Sequence, residues 1–270
     1  RPEPTLPAMS DAYVPRLLGV LNLSPESMVE ESIAIGESAI RERAAMLART
    51  GADWIDLGGR SITPDAPTVS DRDEQKRLAQ GLALLKDPES GCFHDRVSVD
   101  TWSPETACFA LEQGADAVNY TGGPLPASML DAVAAHDATL FVTFMPFENA
   151  YAMRKAAPRP TGIPEVLDHL GPKVEAARKA GIREVVIDPN LGIIHPSTDD
   201  FAKIHQQLEI VFRLDELRVL DCPILLYAAR KPERLARIMM ASAVLHARAD
   251  YIRTHTPEMI WRLHRGSETS

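Results

Sequence analysis

Apolar residues cluster along the chain in eight short runs, and between the runs they recur at every third or fourth position. The runs span residues 16–22, 53–58, 96–100, 116–120, 139–145, 184–188, 223–227 and 250–255. Several are branched and almost unbroken, as in Val185-Val186-Ile187, which is the composition of strands covered on both faces. The intervening stretches 37–51, 103–114, 163–181 and 232–249 have helical spacing, and three of them end at Gly51, Gly114 and Gly181, where a helix C-cap needs a left-handed residue. Weaker helical patterns cover 126–136 and 257–265. Strands alternating with helices predict a (β/α)8 barrel, an α/β fold of the TIM type in one domain over residues 15–265. A doubly wound open sheet is the competing arrangement of the same alternation.

The ends follow another rule. Residues 1–14 are proline-rich without periodicity and residues 266–270 are small and polar, so both are read as flexible arms. No apolar run reaches the roughly 18 residues that a membrane span needs. Cys92, Cys108 and Cys222 are odd in number and far apart, which fits reduced thiols and a cytoplasmic protein. A net charge of −9 argues against nucleic acid as a partner, and an anionic ligand has to be met by a local group of bases.

The barrel reading gives the polar residues a common address. Asn22, Asp56, Asp100, Asn119, Asp188 and Arg253 each fall at or near the C-terminal end of a different predicted strand, the face on which barrels carry their sites. Asp188 directly follows the apolar Val185-Val186-Ile187, so its burial demands a specific partner. Arg253 and His255 are two apart and share a side of an extended strand, a spacing that clamps one phosphate, with Arg230 and Lys231 after the seventh strand nearby. Elsewhere the bland reading is preferred. Arg154, Lys155 and Arg159 are assigned to a solvated loop, Met239 and Met240 to packing, and Trp54 to the helix layer, on the opposite side of its strand from Asp56.

The segments LLGVLNLSPES, GADWIDLGGRSITPDA, SVDT, GADAVN, VIDPNLG, ARK and IRTH, in that order from Leu17 onward, resemble the signature segments of dihydropteroate synthases. The resemblance implies a transferase that condenses 6-hydroxymethyl-7,8-dihydropterin pyrophosphate with an arylamine such as p-aminobenzoate and expels pyrophosphate, with Mg2+ as cofactor. It further implies that Asp100, Asn119, Asp188 and Lys231 bind the pterin, that Asn22, Arg253 and His255 bind the pyrophosphate, and that Asn22 also ligates the Mg2+. Met28, Ile62, Thr63, Pro64, Ile193 and Pro232 would line the acceptor pocket, and the last helices would form a homodimer.

The departures from the family pattern concentrate on the acceptor side. Glu26 and Met28 stand for the usual aspartate and phenylalanine, RSITPD replaces a segment that ordinarily carries an arginine, His195 falls where a lysine is expected, Tyr120 stands where an aspartate is common, and Pro232 replaces a serine. Each lost polar contact costs about 1 to 3 kcal/mol, enough to redirect acceptor choice. Two alternatives stay open: a pterin-binding homologue without synthase activity, and a folate-dependent methyltransferase.

Overall fold

The structure is a computed structural model that describes residues 13–62, 66–159, 161–229, 231 and 233–265. Eight strands form a single parallel sheet: β1 Arg16–Asn22, β2 Trp54–Gly58, β3 Val97–Thr101, β4 Ala117–Tyr120, β5 Thr139–Thr143, β6 Val185–Asp188, β7 Leu225–Tyr227 and β8 Tyr251–Thr254. Consecutive strands pair from β1 through β6, while β1 also pairs with β8 and β8 with β7. The remaining seam, β6 to β7, is closed by one bridge between Ile187 and Ile224 and by the Ile187 N–H donating to Pro223 O at 2.9 Å. That closure removes the open-sheet alternative.

Around the strands lie α1 Glu37–Arg49, α2 Asp71–Leu85, α3 Pro104–Glu112, α4 Ala127–Ala135, the short α5 Ala150–Lys155, α6 Ile163–Lys179, α7 Asp200–Phe212, α8 Arg234–His246 and α9 Pro257–Arg265. Both weaker predicted helices are present, as α4 and α9. Gly51, Gly114 and Gly181 take φ of 85°, 89° and 84°, so each ends its helix in the left-handed region as the spacing predicts.

Inward positions on each strand turn from apolar to polar along its length. Leu18, Trp54, Ala117, Phe141, Val186, Leu225 and Tyr251 form an apolar plug inside the barrel, with Trp54 and Tyr251 both edge-on to Phe141 at centroid distances of 6.0 and 5.4 Å. Trp54 therefore does not face the helices. It is two residues from Asp56, and positions two apart on a strand share a face, so both enter the interior. Above the plug the inward positions become Asn22, Asp56, Asp100, Asn119, Asp188, Tyr227 and Arg253, all toward the C-terminal ends. Outside the barrel, helices press close on the strands: a Cβ at Gly19 would stand 2.7 Å from Leu47 Cδ2.

Among the described residues, no helix is long and apolar enough to cross a membrane. The three cysteines form no disulfide; Cys92 and Cys222 are buried and Cys108 is partly exposed.

Two glycine caps separate conformational strain from crowding. At Gly114 the nearest atom to a new Cβ lies 3.9 Å away, whereas at Gly51 a Cβ would collide with the Trp261 indole nitrogen, the same nitrogen that donates to Gly51 O at 2.9 Å. Gly114→Ala is expected to cost about 1 to 2 kcal/mol from left-handed strain alone. Gly51→Ala must cost more, because α9 has to shift as well, and urea unfolding of the two variants measures the difference.

Candidate active site

Asn22, Asp100, Asn119, Asp188, Tyr227 and Arg253 line one cavity of about 420 Å³ at the C-terminal mouth of the barrel, and Asp56 is bonded to them from outside its lining. At its floor Arg253 donates through Nε to Asp56 Oδ2 at 2.6 Å and through Nη2 to Asp100 Oδ2 at 2.7 Å. Asp56 is fully buried and accepts two further bonds, from Ser98 Oγ at 2.6 Å and Asn119 Nδ2 at 3.2 Å. Thr121 Oγ1 donates to the other oxygen of Asp100 at 3.2 Å. One guanidinium thus ties β8 to β2 and β3, and Asn119 brings in β4. Asn119 Oδ1 is buried and has no hydrogen-bond partner among the described residues, so it is an acceptor that a bound ligand can satisfy.

Asp188 follows from the strand that ends at it. Three apolar residues carry the carboxylate into the interior, where the Asn190 N–H donates to its Oδ1 at 2.7 Å. Asn190 takes φ of 65° and fixes the turn with its side chain, donating to Phe144 O and Ile193 O at 3.0 Å each and accepting from the Ile193 N–H at 2.7 Å. Asparagine is among the few residues besides glycine that tolerate this backbone region. Burial pushes Asp188 up to about 7, with the Asn190 N–H opposing it, and burial also raises Asp100 against the pull of Arg253. Burial works against the charge on Arg253 too, but the two carboxylates beside it outweigh that and keep it firmly protonated.

At the rim, Lys231 donates to Gln207 Oε1 at 2.6 Å, and Gln207 in turn donates to Leu191 O at 2.6 Å. Burial lowers the Lys231 ammonium below its ordinary value. His255 packs edge-on to Tyr227 at 5.8 Å, and the Arg253 guanidinium lies 5.7 Å from the same ring. Asn22 Oδ1 accepts from the Ser24 N–H at 3.1 Å, next to space that Gly58 leaves open.

Asp100, Asn119, Asp188, Lys231, Asn22, Arg253, His255, Met28, Ile62 and Ile193 all line this cavity. Thr63, Pro64 and Pro232 lie outside the described residues, as do Asp65 and Arg230. His195 turns elsewhere: its Nε2 is 3.0 Å from Ala156 O and its Nδ1 is 2.8 Å from Ser197 Oγ.

Several lining residues had no role in the sequence reading. Arg154, expected in a solvated loop, sits on α5, lines the cavity and donates to Ile62 O of the second loop. Trp102 and Tyr227 add aromatic walls, and Arg60 lies 4.6 Å over the Trp102 ring while pairing with Glu74 and Asp71. Asp56, outside the lining, is the hub of the floor, a task that its place at a strand end does not by itself reveal. Of the two α8 methionines assigned to packing, Met240 is buried and Met239 is exposed. Among the described residues no group of three or more His, Cys, Asp or Glu side chains is placed to hold a metal ion.

A barrel with a cavity at its C-terminal mouth, lined by convergent polar side chains among apolar ones, fits a broad class of enzymes, and comparison narrows it. Residues 18–251 match the family model described as pterin binding enzyme. The type-1 dihydropteroate synthase of Escherichia coli is 30% identical over 258 residues, covering 89% of this chain and 88% of that protein. The Thermus thermophilus dihydropteroate synthase solved with 4-aminobenzoate superposes with a TM-score of 0.72 at 27% identity over 94% of each chain. The same protein solved with 6HMPPP gives 0.70 at 26% identity, covering 94% of this chain and 93% of that one. The chain belongs to the pterin-binding enzyme family and is a dihydropteroate synthase-like transferase.

The raised carboxyl of Asp188 has a direct consequence for stability. A folded-state value of about 7, against 3.8 for the unfolded chain, means that the native protein holds a proton the unfolded chain releases. Stability from this group is complete below pH of about 4 and is lost as the pH rises toward about 7. The urea midpoint of the ligand-free protein is expected to fall over that window, with a shallower fall in Asp188→Asn. An identical pH slope in the variant would count against the assignment.

Proposed function

We propose that the cavity binds 6-hydroxymethyl-7,8-dihydropterin pyrophosphate, with Asp100, Asn119, Asp188 and Lys231 on the pterin and Asn22, Arg253 and His255 on the pyrophosphate, and joins it to an arylamine. The observation that carries the reading is the convergence of three acceptors, Asp100 with the buried Asn119 and Asp188, on one cavity that Arg253 and His255 also line. A pterin edge presents adjacent N–H donors on a rigid plane. An ionised Asp188 accepts such donors as charge-assisted bonds, which offsets the cost of burying its charge.

In the reaction the bond between the pterin methylene carbon and the pyrophosphate oxygen breaks, the amine nitrogen bonds to that carbon, and the amine proton passes to solvent. Arg253, His255 and Asn22 stabilise the charge that gathers on the departing oxygens, so no nucleophilic side chain is required. The family implies Mg2+, and Asn22 is its fit in this chain: a side-chain oxygen on the cavity wall, with no acidic cluster around it among the described residues. Mg2+ commonly takes one or two protein ligands and completes its shell with phosphate oxygens and water. When bound there it would neutralise charge on the leaving group.

The acceptor lies toward the mouth, where Met28, Ile62, Trp102, Met153 and Ile193 form the wall with Arg154 among them. These walls are aliphatic, thioether and aromatic, which suits an arylamine, and their departure from the family pattern supports one other than plain p-aminobenzoate. The protein is read as a cytoplasmic homodimer. Support for the dimer is the exposed apolar set Phe201 and Ile204 on α7 with Leu235 and Met239 on α8.

The deciding assay supplies the pterin pyrophosphate, Mg2+ and a panel of arylamines, and follows pyrophosphate release. Release is expected with at least one amine, and to fall about a hundredfold or more in Asp188→Ala and Arg253→Ala. Tight pterin binding with no release for any amine would leave a pterin-binding homologue instead.

Sedimentation of the purified chain addresses the second element. A dimer is expected for the wild type, and monomer for the double substitution Phe201→Glu with Leu235→Glu.

A further inference from the structure

We propose that Arg77 of α2 is the positioning residue of the cavity mouth, fastening the loops after β1 and β2 to each other and so setting affinity for the arylamine. The kinetic part of this inference rests on the condensation reading above.

The first loop carries Glu26, two residues before Met28, and the second begins at Gly59, three before Ile62; Met28 and Ile62 both line the mouth. Arg77 reaches both. Its Nη2 donates to Glu26 Oε1 at 2.8 Å, its Nη1 to Glu26 Oε2 at 3.0 Å, and the same Nη1 to Gly59 O at 3.0 Å. The guanidinium fork matches the carboxylate with two bonds and still spans to a second backbone, which a lysine ammonium on a single point cannot do. The side chains are only 24% and 19% exposed, so this is not a fully solvated pair. The Arg77 contact holds the Glu26 carboxyl down to about 2, in keeping with a carboxylate that is ionised across the working range.

The contact continues inward. Ser24 is fully buried; its Oγ donates to Glu26 Oε2 at 2.6 Å and its N–H to Asn22 Oδ1 at 3.1 Å. Arg77, Glu26, Ser24 and Asn22 therefore form one line of hydrogen bonds from α2 to the cavity wall. The next turn of α2 supports it, because Asp71, Glu74 and Arg77 are three apart and share a face. The two acids hold Arg60, the residue after Gly59, while Thr101 Oγ1 donates to Glu74 at 3.1 Å and Ser103 Oγ to Asp71 at 2.8 Å. One helix face thus grips the first loop, the second loop and the end of β3.

The experiment is backbone amide hydrogen exchange on the full chain, with arylamine KM measured in parallel. Arg77→Ala is expected to speed exchange in residues 24–29 and 59–62 by about tenfold or more while the strands keep wild-type rates. Glu26→Ala should loosen residues 24–29 and leave 59–62 protected, since the Gly59 bond survives. The reversed pair, Glu26→Arg with Arg77→Glu, should restore protection to the first loop and not to the second. In turnover, Arg77→Ala should raise the arylamine KM about tenfold, with kcat and the KM for the pterin pyrophosphate within about threefold. Unchanged loop exchange in Arg77→Ala, or faster exchange spread evenly over the barrel, overturns the proposal. A wild type that turns over no arylamine removes the condensation reading, and the exchange pattern alone then decides whether Arg77 fastens the loops.

Discussion

The structure depends on the contact of Arg253 with the fully buried Asp56 and the partly buried Asp100. Removing three ionised groups from water is costly, and the attraction between them offsets that cost only where geometry is good and the remaining lone pairs are satisfied. Both conditions hold. The bonds are 2.6 and 2.7 Å, and Ser98, Asn119 and Thr121 supply the additional donors. Because those residues come from β2, β3, β4, the segment just after β4, and β8, the electrostatics of the site also align the strands. The floor of the cavity cannot be altered without disturbing the barrel above its apolar plug.

Charge explains how the cavity is divided. Asp56 and Asp100 outnumber the one guanidinium between them, and Asp188 adds a third carboxyl that burial raises to about 7. Such a floor repels free anions and accepts N–H donors. Under the proposed reaction the groups that meet phosphate are Arg253 itself, with His255 and Asn22 on the same cavity wall. The apolar mouth lies beyond them, on loops rather than strands. A rigid polar floor with a softer rim is the usual division of labour in barrels, where strands carry precision and loops carry variation.

Much of the floor was legible in the sequence, since it depends on strand periodicity. A run of branched residues ending in one polar group specifies both a strand and the end at which its chemistry sits, and this places Asn22, Asp100, Asn119, Asp188 and Arg253 without coordinates. Trp54 shows the same rule misapplied: its two-residue offset from Asp56 already put both inside. The partners were not legible, because the Arg253–Asp56 contact joins residues 197 positions apart and no local pattern encodes it. Arg154 was hidden for another reason. A basic, proline-flanked segment reads as a solvated loop, and only the short α5 turn carries its side chain back to Ile62. Asn190 holds a φ of 65°, a region that favours glycine, and its side-chain bonds to Phe144 and Ile193 keep the turn in shape, which no local pattern shows in advance.

The negative interior also bears on the order of events under the proposed reaction. A chain of net charge −9 with a carboxylate-rich floor offers little to pyrophosphate alone. While the pyrophosphate is joined to the pterin, the ring's hydrogen bonds hold it beside Arg253 and His255 at high effective concentration, and the weak intrinsic anion affinity does not matter. Cleavage of the carbon–oxygen bond removes that tether. The freed anion then keeps only its rim contacts against the repulsion of the floor, so the same charge distribution that tolerates the substrate favours departure of the product.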